Sequence, residues 1–268
     1  MNSDLRKLID DDRGSQRKGG WRGTCLEYLE VVRANPTIPK LAHETIYTRL
    51  MQDGIRDIDL DSDPKLRRLY RGDSLRIYNF FADEFYGMYK TINQIVRYFH
   101  SASLKGEESR QVLYLVGPVG SGKSSLVERL KHGLEQLPPF YTIEKCPMHE
   151  EPLHLVPRHL REEFGKKLDV SIEGDLCPIC RYRLKEEHQG RWEEMPVRTV
   201  EYSVRAKRGV GVVPPVDPNN QDTSVLIGGE DISKLDLYSE GDPRVLDLSG
   251  ALNVGNRGVV EFIEVFKN

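Results

Sequence analysis

QVLYLVGPVGSGKSSLVERLKHGLEQ, residues Gln111–Gln136, is the stretch whose reading decides the fold. Val112–Val116 is a short apolar run of buried-strand type. It passes into Gly117-Pro118-Val119-Gly120-Ser121-Gly122-Lys123-Ser124, which satisfies G-x-x-x-x-G-K-[ST] at every fixed position. Leu126, Val127, Leu130, Leu134 and Leu137 then recur at helical spacing. Strand, phosphate loop and helix in that order predict an α/β fold with a nucleotide site of P-loop type.

The chemistry needs these residue types. Glycines at 117, 120 and 122 take backbone angles closed to other residues, so successive amide hydrogens can face a phosphate with no side chain in the way. A helix starting at Lys123 adds its positive N-terminal end. Lys123 then reaches the β- and γ-phosphates of ATP as a point charge, and the Ser124 hydroxyl is placed to ligate the accompanying Mg²⁺.

With 268 residues, the chain can hold one large domain or two ordinary ones. Lys plus Arg number 39 against 42 for Asp plus Glu, a formal charge of −3, so no global basic signature points to nucleic acid. The local basic runs Arg181–Arg183 and Arg205–Arg208 read as solvated faces. No apolar stretch reaches the length of a membrane span, and the N-terminus MNSDLRKLIDDDRG is charged where a signal peptide would be apolar. The expected location is the cytoplasm, where four cysteines should not form a structural disulfide.

Residues up to about Gly20 read as a charged arm, Thr24–Ala34 and Leu41–Gln52 as helices, and Ile55–Arg71 as a charged connector. Asp73–Ser103 reads as a longer helical region whose Ile77, Phe80, Phe81, Phe85, Tyr89, Ile92, Ile95, Val96 and Phe99 supply a core-facing side. Residues 1–72 are thus assigned to an N-terminal arm and helical region, and 73–268 to the nucleotide domain. Beyond Pro138-Pro139, strands are expected at Tyr141–Glu144 and Val197–Val204, with a Gly- and Val-rich run at Arg208–Val213. The dense turn that follows includes Asp217 and Asp222, which read as backbone caps.

Between about 145 and 217 lies an insertion unexpected in a minimal nucleotide domain. It carries Cys146-Pro147-Met148-His149 and Cys177-Pro178-Ile179-Cys180, two pairs whose spacing lets each tight turn aim two ligands at one ion. Together Cys146, His149, Cys177 and Cys180 make a Cys₃His set suited to a structural Zn²⁺. The helical pattern His159–Lys167 sits between the pairs, and His154 and His159 are further imidazoles in reach of the same assignment. The competing reading is ordinary buried thiols beside a stray histidine. Four protein ligands would leave no open position for catalysis.

The phosphate loop, the paired CPMH and DLCPIC, VDPNNQDTSVLIGGEDI and the terminal SGALNVGNRGVVEFIEVFK together resemble the PrkA family of bacterial serine protein kinases. GTCLEYLEVVRANP and FADEFYGMYKTINQIVRYF also look like that family, so the resemblance runs from about Gly23 to Lys267. It implies an AAA+ type P-loop module, so the fold is read as a parallel sheet flanked by helices, with an N-terminal helical region and, from the cysteine spacing, the zinc-bearing insertion. It also implies a longer protein with a C-terminal kinase-like region. By similarity Gly117, Pro118, Val119, Gly120, Ser121, Gly122, Lys123 and Ser124, with Ser125 beside them, bind ATP.

A Walker B strand normally ends in Asp-Glu. Laying Gly258–Glu264 on that pattern puts Ile263 where Asp is expected and Glu264 at the catalytic Glu. Glu261 is the nearest other carboxylate, and whether it replaces the missing Asp stays open. Further strands, a sensor residue, a lid and an arginine finger have no counterpart, so the chain is expected to be an incomplete AAA+ core.

Three function classes follow. The family resemblance implies transfer of the ATP γ-phosphate to serine or threonine of a protein substrate, without the HRD and DFG elements of eukaryotic kinases. The second is ATP-driven remodelling or proteolysis by a homo-oligomeric ring, for which hexamer formation would be the discriminating observation. The third is a non-enzymatic switch ordered by ATP. No membrane or nucleic-acid partner is expected.

Overall fold

The computed structural model describes residues 20–57, Arg68, 75–215 and 223–264. The arm before Gly20, most of the connector, Asp73, and the aspartates at 217 and 222 lie outside the described residues. In chain order the elements are β1 (Arg22–Thr24), α1 (Cys25–Ala34), α2 (Ala42–Gln52), β2 (Ile55–Asp57), β3 (Arg76–Tyr78), α3 (Asn79–Ala82) and α4 (Tyr89–Ser103). Then come α5 (Lys123–Glu135), β4 (Phe140–Ile143), α6 (Arg161–Leu168), α7 (Pro178–Glu186), β5 (Pro196–Val200) and β6 (Val210–Val213). The last stretch carries α8 (Ser224–Ile227), β7 (Gly229–Glu230), β8 (Leu246–Asp247), α9 (Ala251–Val254) and β9 (Val259–Phe262).

These elements gather into two units. One joins the described residues up to Ile38 with Pro139–Cys146 and Glu150–Val200; the other joins Pro39–Pro138, Pro147–His149 and the described residues from Glu201.

The first unit is built on an antiparallel sheet in the order β1-β5-β4, with Arg22 opposite Arg198 and Arg198 opposite Thr142. Helix α1 starts where Thr24 and Glu27 form a reciprocal cap: the Glu27 amide donates to Thr24 Oγ1 at 3.2 Å and the Thr24 amide to Glu27 Oε2 at 2.7 Å. Cys25, Tyr28, Leu29 and Val32, spaced as one helical face, are buried. Ile143, Leu153, Leu155, Val156, Met195 and Val197 are each at most 2% exposed in the same unit. The cysteine-bearing segment therefore shares a core with α1. A Thr24→Ala variant should lose about 1 kcal/mol of stability to urea, the usual cost of removing such a cap.

In the second unit α2 packs on α4, burying Ile46 and Leu50 with Ile92, Ile95, Val96 and Phe99. The helical region expected over 73–103 is interrupted. Arg76–Tyr78 pairs antiparallel with Ile55–Asp57, held by Asn93, whose Oδ1 accepts from the Arg76 amide (3.1 Å) and whose Nδ2 donates to the Arg76 carbonyl (2.7 Å). Gly87, at φ +72°, stands just before α4. The aromatic run is core, as expected: Phe80, Phe81, Phe85 and Phe99 are at most 5% exposed. The Phe80 ring sits between the guanidinium groups of Arg49 and Arg129, 4.7 and 4.8 Å from its centroid. It presses so closely on α5 that a Cβ at Gly133 would come within 2.6 Å of it.

The sheet corrects the expectation most. Among the described residues the parallel pairing is β6 with β9, in register from Val210 opposite Val259 to Val213 opposite Phe262. Val112–Val116, read as a buried strand, belongs to none of the described sheets. Val112, Tyr114 and Val116 are 86%, 59% and 79% exposed, while Leu113 and Leu115 are half-buried. That two-residue alternation is the geometry of extended chain, but a strand also needs a ladder partner, which a local apolar run does not supply. No helix of the described residues is long and apolar enough to cross a membrane.

Candidate nucleotide loop and thiol cluster

Helix α5 begins at Lys123, as the motif requires, and buries Leu126, Leu130 and Leu134 at four-residue spacing. Gly122 is its N-cap at φ +82°, with no side chain capping the first-turn amides; Gly120 is left-handed too, at +79°. A Cβ at Gly117 would fall 2.8 Å from Ser121 Oγ. Glycine at these positions keeps the concave side of the loop open, and the uncapped amides with the helix N-terminus fit a phosphate chain. Lys123 Nζ donates to the carbonyls of Gly117 and Pro118, both at 2.7 Å, and lies 3.2 Å from Ser121 Oγ. Its ammonium is thus folded over the loop where phosphate oxygens would take over those bonds. Ser124 and Ser125 are exposed on the first turn.

The structure commits Glu261 elsewhere. Lys131, buried on α5 with its side chain 4% exposed, donates to Glu261 Oε2 at 2.8 Å and to Glu128 Oε1 at 2.5 Å. Burial alone would push the Lys131 ammonium down, but the two carboxylates outweigh it and hold it above the ordinary lysine range. Lys131 lies two turns past Ser124, about 10 Å along the helix, so Glu261 pairs with the far part of α5 rather than with the phosphate end. Glu264 follows β9, exposed and left-handed at φ +54°. It stands off the carboxyl end of a parallel strand, the end at which α/β sheets place their ligands.

In the other unit Cys146, Cys177 and Cys180 come together as the spacing suggested. The residue that joins them is Glu150: one ligand atom from each of Cys146, Glu150, Cys177 and Cys180 lies within 4.8 Å of every other, all four residues buried. The expected ligand His149 is not part of that group; the carbonyl of the preceding Met148 accepts from Asn256 Nδ2 at 2.8 Å. Backbone at Lys145 and His149 is left-handed, φ +60° and +49°.

Cys177 is the N-cap of α7 with Pro178 in the first turn, and the Cys180 amide donates to Cys177 Sγ at 3.3 Å. Glu150 Oε1 accepts from the Cys177 amide at 2.6 Å, and Cys146 Sγ donates to Glu150 Oε2 at 3.3 Å. Hydrogen bonds from Cys146 and Cys180 push the Cys177 thiol down, while Cys146 and Cys180, as donors, are pushed up. Arg183 ties α7 to the end of β4 through the Glu144 carbonyl at 2.6 Å and is buried, so that basic run is not the solvated face expected. Cys25 stands apart from the cluster, an inert thiol pushed up to about 12 by burial and by the charges of Glu151 and Glu193.

Two signals were passed over in the sequence. Glu150 directly follows the CPMH pair, and carboxylates are ordinary zinc ligands. Lys131 lies on the α5 face that the helical leucines mark as buried, where a charge demands a partner.

The family profile described as "PrkA AAA domain" matches residues 23–268. A Bacillus subtilis (strain 168) protein named "ATP-dependent protease PrkA" is 37% identical over 271 residues, covering 98% of this chain and 41% of that protein. An Escherichia coli (strain K12) protein named "Serine/threonine kinase YeaG" is 38% identical over 219 residues, covering 78% of this chain and 33% of its own length. The chain thus spans well under half of each relative. No solved structure matches it.

Proposed function

This chain belongs to the PrkA AAA domain family, and on that premise we propose that it is the ATP-binding, AAA+ type module of a protein that phosphorylates serine or threonine of other proteins. The observation that carries the reading is the glycine loop Gly117–Gly122 opening onto the uncapped N-terminus of α5. Gly117 to Ser125 would hold the phosphates of ATP. Bound magnesium would neutralise charge on the β- and γ-phosphates, with Ser124 as its protein ligand. Lys123 would exchange its bonds to the Gly117 and Pro118 carbonyls for phosphate oxygens. Glu264, at the carboxyl end of β9, would orient the attacking nucleophile. Zinc takes no part in this chemistry.

A second reading, ATP-driven remodelling or proteolysis by a homo-oligomeric ring, is favoured by the relative named as a protease, which aligns with nearly the whole chain. One assay separates the two. The purified chain is given ATP labelled in its γ-phosphate, and free phosphate and protein-bound label are followed together, with Lys123→Ala as control. Label moving onto a protein in a Lys123-dependent way is the expected result; free phosphate alone would replace the kinase reading with the ring ATPase. ATP binding without either product would place the chemistry outside this chain and leave the chain itself a nucleotide-binding switch. In the same assay Glu264→Gln should bind ATP normally and turn it over about a hundredfold more slowly, the usual size of a general-base contribution.

A further inference from the structure

We infer that Cys146, Glu150, Cys177 and Cys180 form a closed Cys₃Glu zinc site, with Glu150 Oε2 as the fourth ligand. The inference stands independently of the nucleotide loop. In a tetrahedral site with zinc–sulfur bonds of about 2.3 Å and a zinc–oxygen bond of about 2.1 Å, sulfur and oxygen ligands lie about 3.6 Å apart. Cys146 Sγ and Glu150 Oε2 are already 3.3 Å apart, and the whole donor set fits within 4.8 Å. Loss of the shared thiol protons and a contraction of well under 1 Å per atom would complete the shell.

Each donor is positioned by something other than the metal. Glu150 is 2% exposed, and its Oε1 is held by the Cys177 amide, which leaves Oε2 to face the sulfurs. His154 Nδ1 stands 3.9 Å from that same Oε1, an outer neighbour of the carboxylate. The Cys180 amide supports Cys177 Sγ, and the N-terminus of the nine-residue α7 favours the negative charge that three thiolates and a carboxylate bring. A buried carboxylate beside three buried thiols is costly without a cation to pair with. The donor chemistry, sulfur-rich with one hard oxygen in four-fold arrangement, suits Zn²⁺.

A shell with four protein ligands has no place for substrate, so the ion's work is structural. It would join the end of β4, the start of α7 and the Glu150 turn. Its effect extends to α1, because Tyr28 donates to Glu151, the neighbour of the ligand Glu150, and Cys25 Sγ points to the Pro152 carbonyl at 3.9 Å.

The test uses the full chain, purified under reducing conditions. Metal content is measured directly, and Co²⁺ is substituted to read the ligands by absorption. The expected result is one zinc per chain, and a cobalt form with the sulfur-to-metal intensity of three bonds and the visible bands of a tetrahedral site. Glu150→Gln should weaken metal binding by about tenfold or more and shift the visible bands while keeping the three-sulfur intensity. His149→Ala should leave affinity and spectrum unchanged. The reverse pattern, His149→Ala weakening binding and Glu150→Gln having no effect, would overturn the ligand set. Failure of the parent to bind zinc, iron in its place, or a Cys177–Cys180 disulfide in the purified chain would overturn the site. Because Cys177→Ser with Cys180→Ser removes two core side chains and risks unfolding, the two single variants carry the decision.

Discussion

Replacing Lys123 with alanine is expected to weaken ATP binding at least about a hundredfold, close to 3 kcal/mol, while leaving the fold intact. Both halves follow from the geometry. The ammonium is the one cation the loop presents within its own span, and it rests on the Gly117 and Pro118 carbonyls rather than on a distant acid. Those carbonyls belong to an exposed loop, so water replaces the lost bonds and stability should change by less than about 1 kcal/mol. Titrating labelled nucleotide against parent and variant, with thermal melts of both, checks the two halves separately. Unchanged affinity would remove the nucleotide assignment; a collapsed melting curve would make the lysine structural.

Lys131→Met is expected to act in the opposite manner, costing about 3 kcal/mol of stability through one buried charge left behind. Glu128 is half-exposed and can turn to water, but Glu261, with its side chain 13% exposed, cannot. The second change Glu261→Leu, made in the same chain, should recover most of the loss, because two apolar side chains of similar volume replace the ion pair. Urea unfolding of the single and double variants measures both effects. Equal loss in the two chains would show that packing of the lysine stem matters and the pair does not. The same network sets a pH expectation. Lys131 is held above its ordinary value near 10.4, so its contribution is fully present at neutral pH and is lost only as pH climbs beyond that range.

What could be read from the sequence was what neighbouring residues decide together. The phosphate loop and α5 depend on glycine freedom and helical spacing within one stretch, and both are where the motif puts them. The Thr24–Glu27 cap and the buried faces of α1 and α4 are equally local. The thiol trio was legible because Cys177 and Cys180 lie one turn apart at the start of α7, a spacing fixed within four residues. The place of Glu150 beside it was not: the Met148 carbonyl, between Cys146 and Glu150, is bonded by Asn256, more than a hundred residues away. Lys131 and Glu261 are separated by 130 positions, and nothing in either neighbourhood names the other. The run Val112–Val116 failed for a related reason: apolar composition signals burial, whereas strand formation depends on a ladder made elsewhere.

That run also affects how the purified protein behaves in the tube. An extended stretch whose valines alternate into water is a template for edge-to-edge adhesion with any copy that carries it. Such adhesion is open-ended, grows with protein concentration and is indifferent to nucleotide. A closed ring stops at a set size. Particle mass followed down a dilution series would therefore tell working assembly apart from simple stickiness: a ring holds one mass until it falls apart, while adhering chains shrink continuously.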